Sequence, residues 1–106
     1  MLVIRSRNGV PIRLTEERWG HVGRRHPEMS DQKDRVLETV AEPDVVYRGD
    51  EDALMAGRLY AETPLTEKFL VAVYREVTDA DGFILTAYFT NRPASGREVV
   101  WKRSES

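Results

Sequence analysis

At Glu42-Pro43 the spacing of the apolar residues changes, and with it the kind of structure the chain can form. Before this point Val36, Leu37, Val40 and Ala41 recur at helical intervals, whereas from Asp44 onward the period is that of strands. Strand-like runs follow at Val45 to Arg48, Met55 to Glu62, Lys68 to Val77 and Phe83 to Asn91, with a further candidate at Glu98 to Lys102. The connections Thr63-Pro64-Leu65-Thr66 and Thr78-Asp79-Ala80-Asp81-Gly82 are short and rich in turn residues, which favours antiparallel neighbours.

The first half carries its own punctuation. Asn8-Gly9 suits the positive φ angles of a tight hairpin turn between Leu2 to Arg5 and Val10 to Leu14, and Pro11 is expected to force the second arm to a sheet edge. Thr15 is a helix cap, Glu16 and Glu17 then sit at the positive end of the dipole, and Leu14 can staple against Trp19. A residue before proline is pushed out of the helical region, so Pro27 ends this helix near Arg25 or His26. Ser30 is read as the cap of a second helix that closes at Glu42-Pro43. The expected fold is α+β, with two N-terminal helices packed on one face of a four- to five-stranded antiparallel sheet and a short N-terminal hairpin. One domain over residues 1–101 and a disordered tail over 102–106 complete it.

Of the 106 residues, 41% are hydrophobic and 32% charged, the balance of an ordered globular chain. No cysteine is present, so disulfides, thiolate catalysis and cysteine zinc sites are excluded. Without a leader-like start or an apolar run long enough to span a bilayer, no membrane association is expected and the location is read as cytoplasmic. The net charge of −2 argues against a broad nucleic-acid coat. Its distribution is uneven. Residues 1–30 hold six Arg against three Glu, residues 31–67 hold ten acids against four bases, and residues 68–106 hold six bases against five acids. Should the two ends meet, Arg92, Arg97, Lys102 and Arg103 would contribute to a local basic patch; ordinary solvated charge is the alternative.

The stretch from Trp19 to Glu28 gathers both histidines with Arg24, Arg25 and Trp19, beside Arg18. Imidazole is the one side chain whose unperturbed pKa lets it move protons at neutral pH, and guanidinium is a fixed donor fork for phosphate or carboxylate. At about 100° per residue, Trp19, Val22 and His26 share a narrow sector, with Arg18, His21 and Arg25 beside it. Spacing alone also permits a structural reading, with His26 a turn histidine near the tryptophan ring and His21 a surface residue. Along the strand from Phe83, alternation puts Phe83, Leu85, Ala87 and Phe89 on one face, expected to be core beneath the helices. Ile84, Thr86, Tyr88 and Thr90 fall on the other, where plain β propensity accounts for the Thr and Tyr equally well. His21 and His26 are five apart and lack an accompanying carboxylate cluster, so no metal is expected. Ser95-Gly96 lacks the context of a nucleophile elbow, and no glycine-rich phosphate loop precedes a helix. What remains is acid-base chemistry on a phosphodiester or similar anion.

The run Leu14-Thr15-Glu16-Glu17-Arg18-Trp19-Gly20-His21-Val22, then Arg25-His26-Pro27-Glu28, Pro43-Asp44-Val45-Val46 and Ile84-Leu85-Thr86-Ala87-Tyr88, resembles the phage-associated barnase-EndoU-colicin-RelE type nuclease domains. The likeness spans residues 10–92. It implies two helices on a four-stranded antiparallel sheet and RNA cleavage without metal or other cofactor, in toxin or phage settings. Carried onto this chain, it implies His21, Arg25, His26, Thr86 and Tyr88 as catalytic residues; the neighbouring cations Arg18, Arg24 and Arg92 are expected to bind substrate. The implied partners are RNA, folded or ribosome-bound, and a neutralising antitoxin or immunity protein, with no DNA. Two other readings stay open: a non-catalytic binding module of the same fold, and a small-molecule or peptide binder using the Thr86 and Tyr88 face.

Overall fold

The computed structural model describes residues 1–93 and 96–104. Strands β1 (Leu2–Arg5) and β2 (Pro11–Leu14) form the N-terminal hairpin, turned at Gly9, whose φ of 83° suits a residue without a Cβ. Helix α1 (Glu16–Arg25) begins where Thr15 Oγ1 accepts the Arg18 N–H at 3.1 Å, and it stops before Pro27, with His26 as its C-cap. Pro27–Met29 makes one 3-10 turn, and helix α2 spans Lys33–Ala41. Strands β3 (Val45–Arg48), β4 (Leu54–Tyr60), β5 (Lys68–Thr78), β6 (Asp81–Thr90) and β7 (Val99–Lys102) follow.

The α+β class, the two helices and the hairpin are those expected from the sequence. The sheet is larger than expected and is mixed: seven strands in the order β1-β2-β6-β5-β4-β3-β7. The hairpin is absorbed into this sheet because β2 pairs in parallel with β6, through Ile12 with Gly82 and Arg13 with Phe83. Pro11 therefore does not put β2 at an edge. It occupies the first position of the strand, where no ladder donor is needed on the β6 side, and β1 takes the edge instead. Ser30 does not cap α2: its backbone is helical (φ −55°, ψ −32°) and closes the 3-10 turn with its N–H on Pro27 O, and the N-cap position falls to Gln32, which makes no side-chain cap bond. Pairing also runs past residue 101. Lys102 sits opposite Val45 and the Arg103 N–H donates to Asp44 O at 2.9 Å, so the expected tail is tied down through Arg103, while Glu105 and Ser106 lie outside the described residues.

The core lies between the helices and one face of the sheet. Val22, Val36 and Val40 meet Leu70, Ala72, Tyr74, Ile84 and Ala87, with Phe89 and Trp101 packed against them. Each fully buried aliphatic side chain contributes about 1.5–3 kcal/mol relative to exposure. Before Thr86 the phase of β6 is not the one its alternation predicts, whereas from Thr86 to Thr90 it is. Val73 sits opposite Thr86 but Tyr74 sits opposite Ile84, so Leu85 is an extra residue, a β-bulge. Ile84 and Ala87 are consequently both buried on the helix side, and Leu85 is not. Thr86 and Tyr88 still share the open face.

After Thr90 the chain crosses that open face to reach the far edge of the sheet. Pro93 rests over Gly57 of β4, where an added Cβ would stand 3.2 Å from the proline Cβ, and Arg97 reaches Asp50 in the β3–β4 turn. At Gly82 the approach is closer still. A Cβ there would lie 2.4 Å from Arg75 O and 2.6 Å from Ile12 Cδ1, so Gly82→Ala is expected to cost about 2–3 kcal/mol by displacing backbone at the β2–β6 junction. Urea unfolding measures this; a loss under 0.5 kcal/mol would contradict the packing.

Candidate active site

β2 meets β6 only at Gly82 and Phe83, and from Ile84 onward that edge of β6 is lined by α1 instead. Arg18, on the flank of α1, fixes the contact by donating from Nη1 to Leu85 O at 3.4 Å. The helix flank and the bulged strand enclose a cleft of about 470 Å³, lined by Arg18, His21, Val22, Arg25 and His26 on one side and by Leu85, Thr86 and Tyr88 on the other. Among the described residues no carboxylate lines it. No group of three His, Asp or Glu side chains among them is placed to hold a metal ion, and no helix is long and apolar enough to cross a membrane.

His21, Arg25, His26, Thr86, Tyr88 and Arg18 are thus brought together. The bulge contributes directly, since it puts Leu85 and Thr86 side by side in the cleft wall. His21 is exposed, and Arg24 Nη2 stands 3.2 Å from its Nδ1. A guanidinium only donates, so a hydrogen bond in this contact needs an Nδ1 without a proton. Arg24 reaches the site through His21 and does not line the cleft itself. The His26 ring, half-buried at the helix end, lies 5.7 Å from the Tyr88 ring at an interplanar angle of 35°. Arg92 is not in the cleft. It follows β6 in a tight turn in which Thr90 Oγ1 donates to Arg92 O, and its exposed side chain belongs to the crossing segment. Ser95 lies outside the described residues.

Arg97 is the residue whose position no local pattern announces. Its guanidinium binds Asp50 in parallel fashion, Nη1 to Oδ1 at 3.0 Å and Nη2 to Oδ2 at 3.3 Å, which holds the Asp50 carboxyl below the usual carboxylate range. It also acts on Tyr88. Burial pushes the Tyr88 phenol up from its ordinary pKa, and the Arg97 charge partly opposes that rise. The phenol therefore keeps its proton throughout the neutral range. No family model, curated protein or solved structure matches the chain.

Removing the opposing charge should move the Tyr88 titration higher. Arg97→Gln, followed by ultraviolet difference titration against Tyr88→Phe, is expected to show the phenol ionising at still higher pH. A downward move would contradict the assigned influence of the guanidinium.

Proposed function

We propose that this protein is a metal-independent ribonuclease, with the cleft between α1 and β6 as its active site. The observation that carries the reading is the composition of that cleft: two imidazoles, two guanidiniums, a threonine hydroxyl and a protonated phenol, with no carboxylate among its described lining residues. Such a site favours an anion and supplies proton donors and acceptors in the neutral range.

In this reading one imidazole takes the proton of a ribose 2′-hydroxyl as its oxygen attacks the adjacent phosphorus. The bond from phosphorus to the leaving 5′-oxygen breaks, and that oxygen receives a proton from the second imidazole or from Tyr88. The products are a 2′,3′-cyclic phosphate and a free 5′-hydroxyl, so protons and electron pairs balance without a co-reactant. Arg25, exposed on the flank, and Arg18, partly held by Leu85 O, offset the charge that grows on the phosphate oxygens. Thr86 donates a hydrogen bond to one of them.

Cleavage of RNA in the presence of excess chelator tests the proposal. Folded His21→Ala and His26→Ala variants are each expected to lose about 10²- to 10⁴-fold in kcat; undiminished cleavage in both would refute the mechanism, and no cleavage by the parent protein would refute the function. The dependence on pH carries a second check. Two imidazoles needed in opposite protonation states give a bell-shaped profile. Because the Tyr88 pKa is raised above its ordinary 10.0, loss of the phenol proton adds no falling limb below pH 10. A limb that appears below this pH and vanishes in Tyr88→Phe would contradict the placement.

A further inference from the structure

A second and larger cavity, about 750 Å³, lies on the same open face of the sheet, beyond the crossing segment. Tyr47 of β3, Leu59 of β4, Phe69 of β5 and Val99 of β7 line it, and Pro93 stands at its side. It shares a face with the candidate site, for Phe69 is opposite Thr90, two residues beyond Tyr88 on β6. Leu59 and Val99 remain 46% and 49% exposed, which leaves an apolar surface bare on this face of the sheet, from β4 to its edge at β7.

What surrounds this surface indicates what covers it. Lys102 and Arg103 line it from the edge strand, and Arg92 is exposed on the crossing segment next to Pro93. Against these three cations stands one lining carboxylate, Asp44, which already pairs with Arg103 at 3.4 Å. In a chain of net charge −2 such a local excess of cations matches an anionic ligand. Aromatic rings on a strand face, beside cations, match a polymer that carries flat bases as well as phosphates. A duplex turns its bases inward and would leave the rings unmatched, whereas a single strand splays its bases outward for stacking.

We infer that this half of the open face is a platform for single-stranded RNA, with bases stacked on Tyr47 and Phe69 and phosphates set against Arg92 and Lys102. The inference rests on the ribonuclease reading of the histidine cleft and specifies its substrate class: an unpaired strand whose flank lies across the sheet, not a folded helix. From β6 to β7 the face crosses four inter-strand steps, roughly 19 Å at about 4.8 Å each, which is room for several nucleotides next to the one cleaved. Arg92, exposed and one residue before the Pro93 that lines the cavity, contacts the backbone of the strand there.

Two measurements separate this inference from the reading beneath it. The first is fluorescence anisotropy with a labelled 2′-O-methyl RNA octanucleotide, which cannot be cleaved; the second is cleavage of an unmodified dinucleotide. Phe69→Leu keeps apolar bulk but removes the ring, and is expected to weaken octanucleotide binding at least about fivefold, the lower end for losing one base–ring stack. Lys102→Gln is expected to reduce the slope of log affinity against log salt by about 0.7. Dinucleotide cleavage stays at the parent level in both. His26→Ala is expected to slow cleavage about 10²- to 10⁴-fold while retaining octanucleotide binding. Equal affinity and salt slope in the parent and both variants would overturn the platform and leave the cleft untouched. Failure of the parent to bind the octanucleotide, or self-association that Phe69→Leu abolishes, would overturn it too, the latter by assigning the face to a second copy. Binding that follows the expected pattern without any cleavage would uphold the platform and refute the ribonuclease reading.

Discussion

β2 touches β6 through only two residue pairs, and the cleft exists because that contact is so short. Leu14 is the last residue of β2, Thr15 caps the next element, and α1 starts while β6 still has most of its length to run. A longer pairing would carry β2 along the whole edge of β6 and leave the helix no strand to border. The approach is set at Gly82, where the absence of a side chain lets Ile12 and the Arg75 carbonyl close in. From there α1 occupies the place a strand would have taken, with Arg18 bonded to Leu85 O. The bulge at Leu85 then turns two consecutive side chains, Leu85 and Thr86, toward the helix flank, a use of bulges common beside functional sites.

Features fixed within a few residues were legible in the sequence. The Thr15 cap, the break before Pro27 and the turn at Gly9 each depend on one residue's backbone preference, and each stands where the sequence puts it. Features fixed by partners far along the chain were not. Whether the hairpin stays separate or joins the sheet depends on residues 12 and 13 meeting residues 82 and 83, and no local period encodes that choice. Ser30 shows the same limit at short range. It has the side chain of a cap, but the 3-10 turn begun by Pro27 runs through it and fixes its backbone as helical. The alternation of β6 was read correctly from Thr86 to Thr90 and wrongly before it, since the residue inserted at Leu85 puts Ile84, and not Phe83 and Leu85, on the core face.

The candidate site divides along the same line. His21, Arg25, His26 and Arg18 were legible as one helix border because helical geometry is regular enough to place them from spacing. Thr86 and Tyr88 joined them through a family resemblance, and the structure puts both opposite that border. Arg24 and Arg92 were grouped by sequence proximity to the site, but one acts only through His21 and the other leaves with the crossing segment. Arg97 is distant in sequence from every helix residue of the site and lies beyond the end of β6. Its position follows from β7 pairing with β3, which carries the chain across the open face and past Asp50.

That crossing also explains how a chain of net negative charge can present cations where an anion would bind. The acidic middle of the sequence is spent on α2 and the turns around β3 and β4, while the cation-rich ends come to opposite sides of one sheet face. Asp50, at the far end of that crossing, has its charge taken up by the Arg97 fork. Charges separated by more than about 8 Å are largely screened at physiological ionic strength, and no carboxylate is among the described residues that line the cleft, so an anion between Arg18 and Arg25 would meet mainly cations. The sum of charges therefore describes solubility, and the field at the cleft is set by the few groups that line it. Chain topology decides which groups those are, because α1 brings its cations to β6 only where β2 has ended.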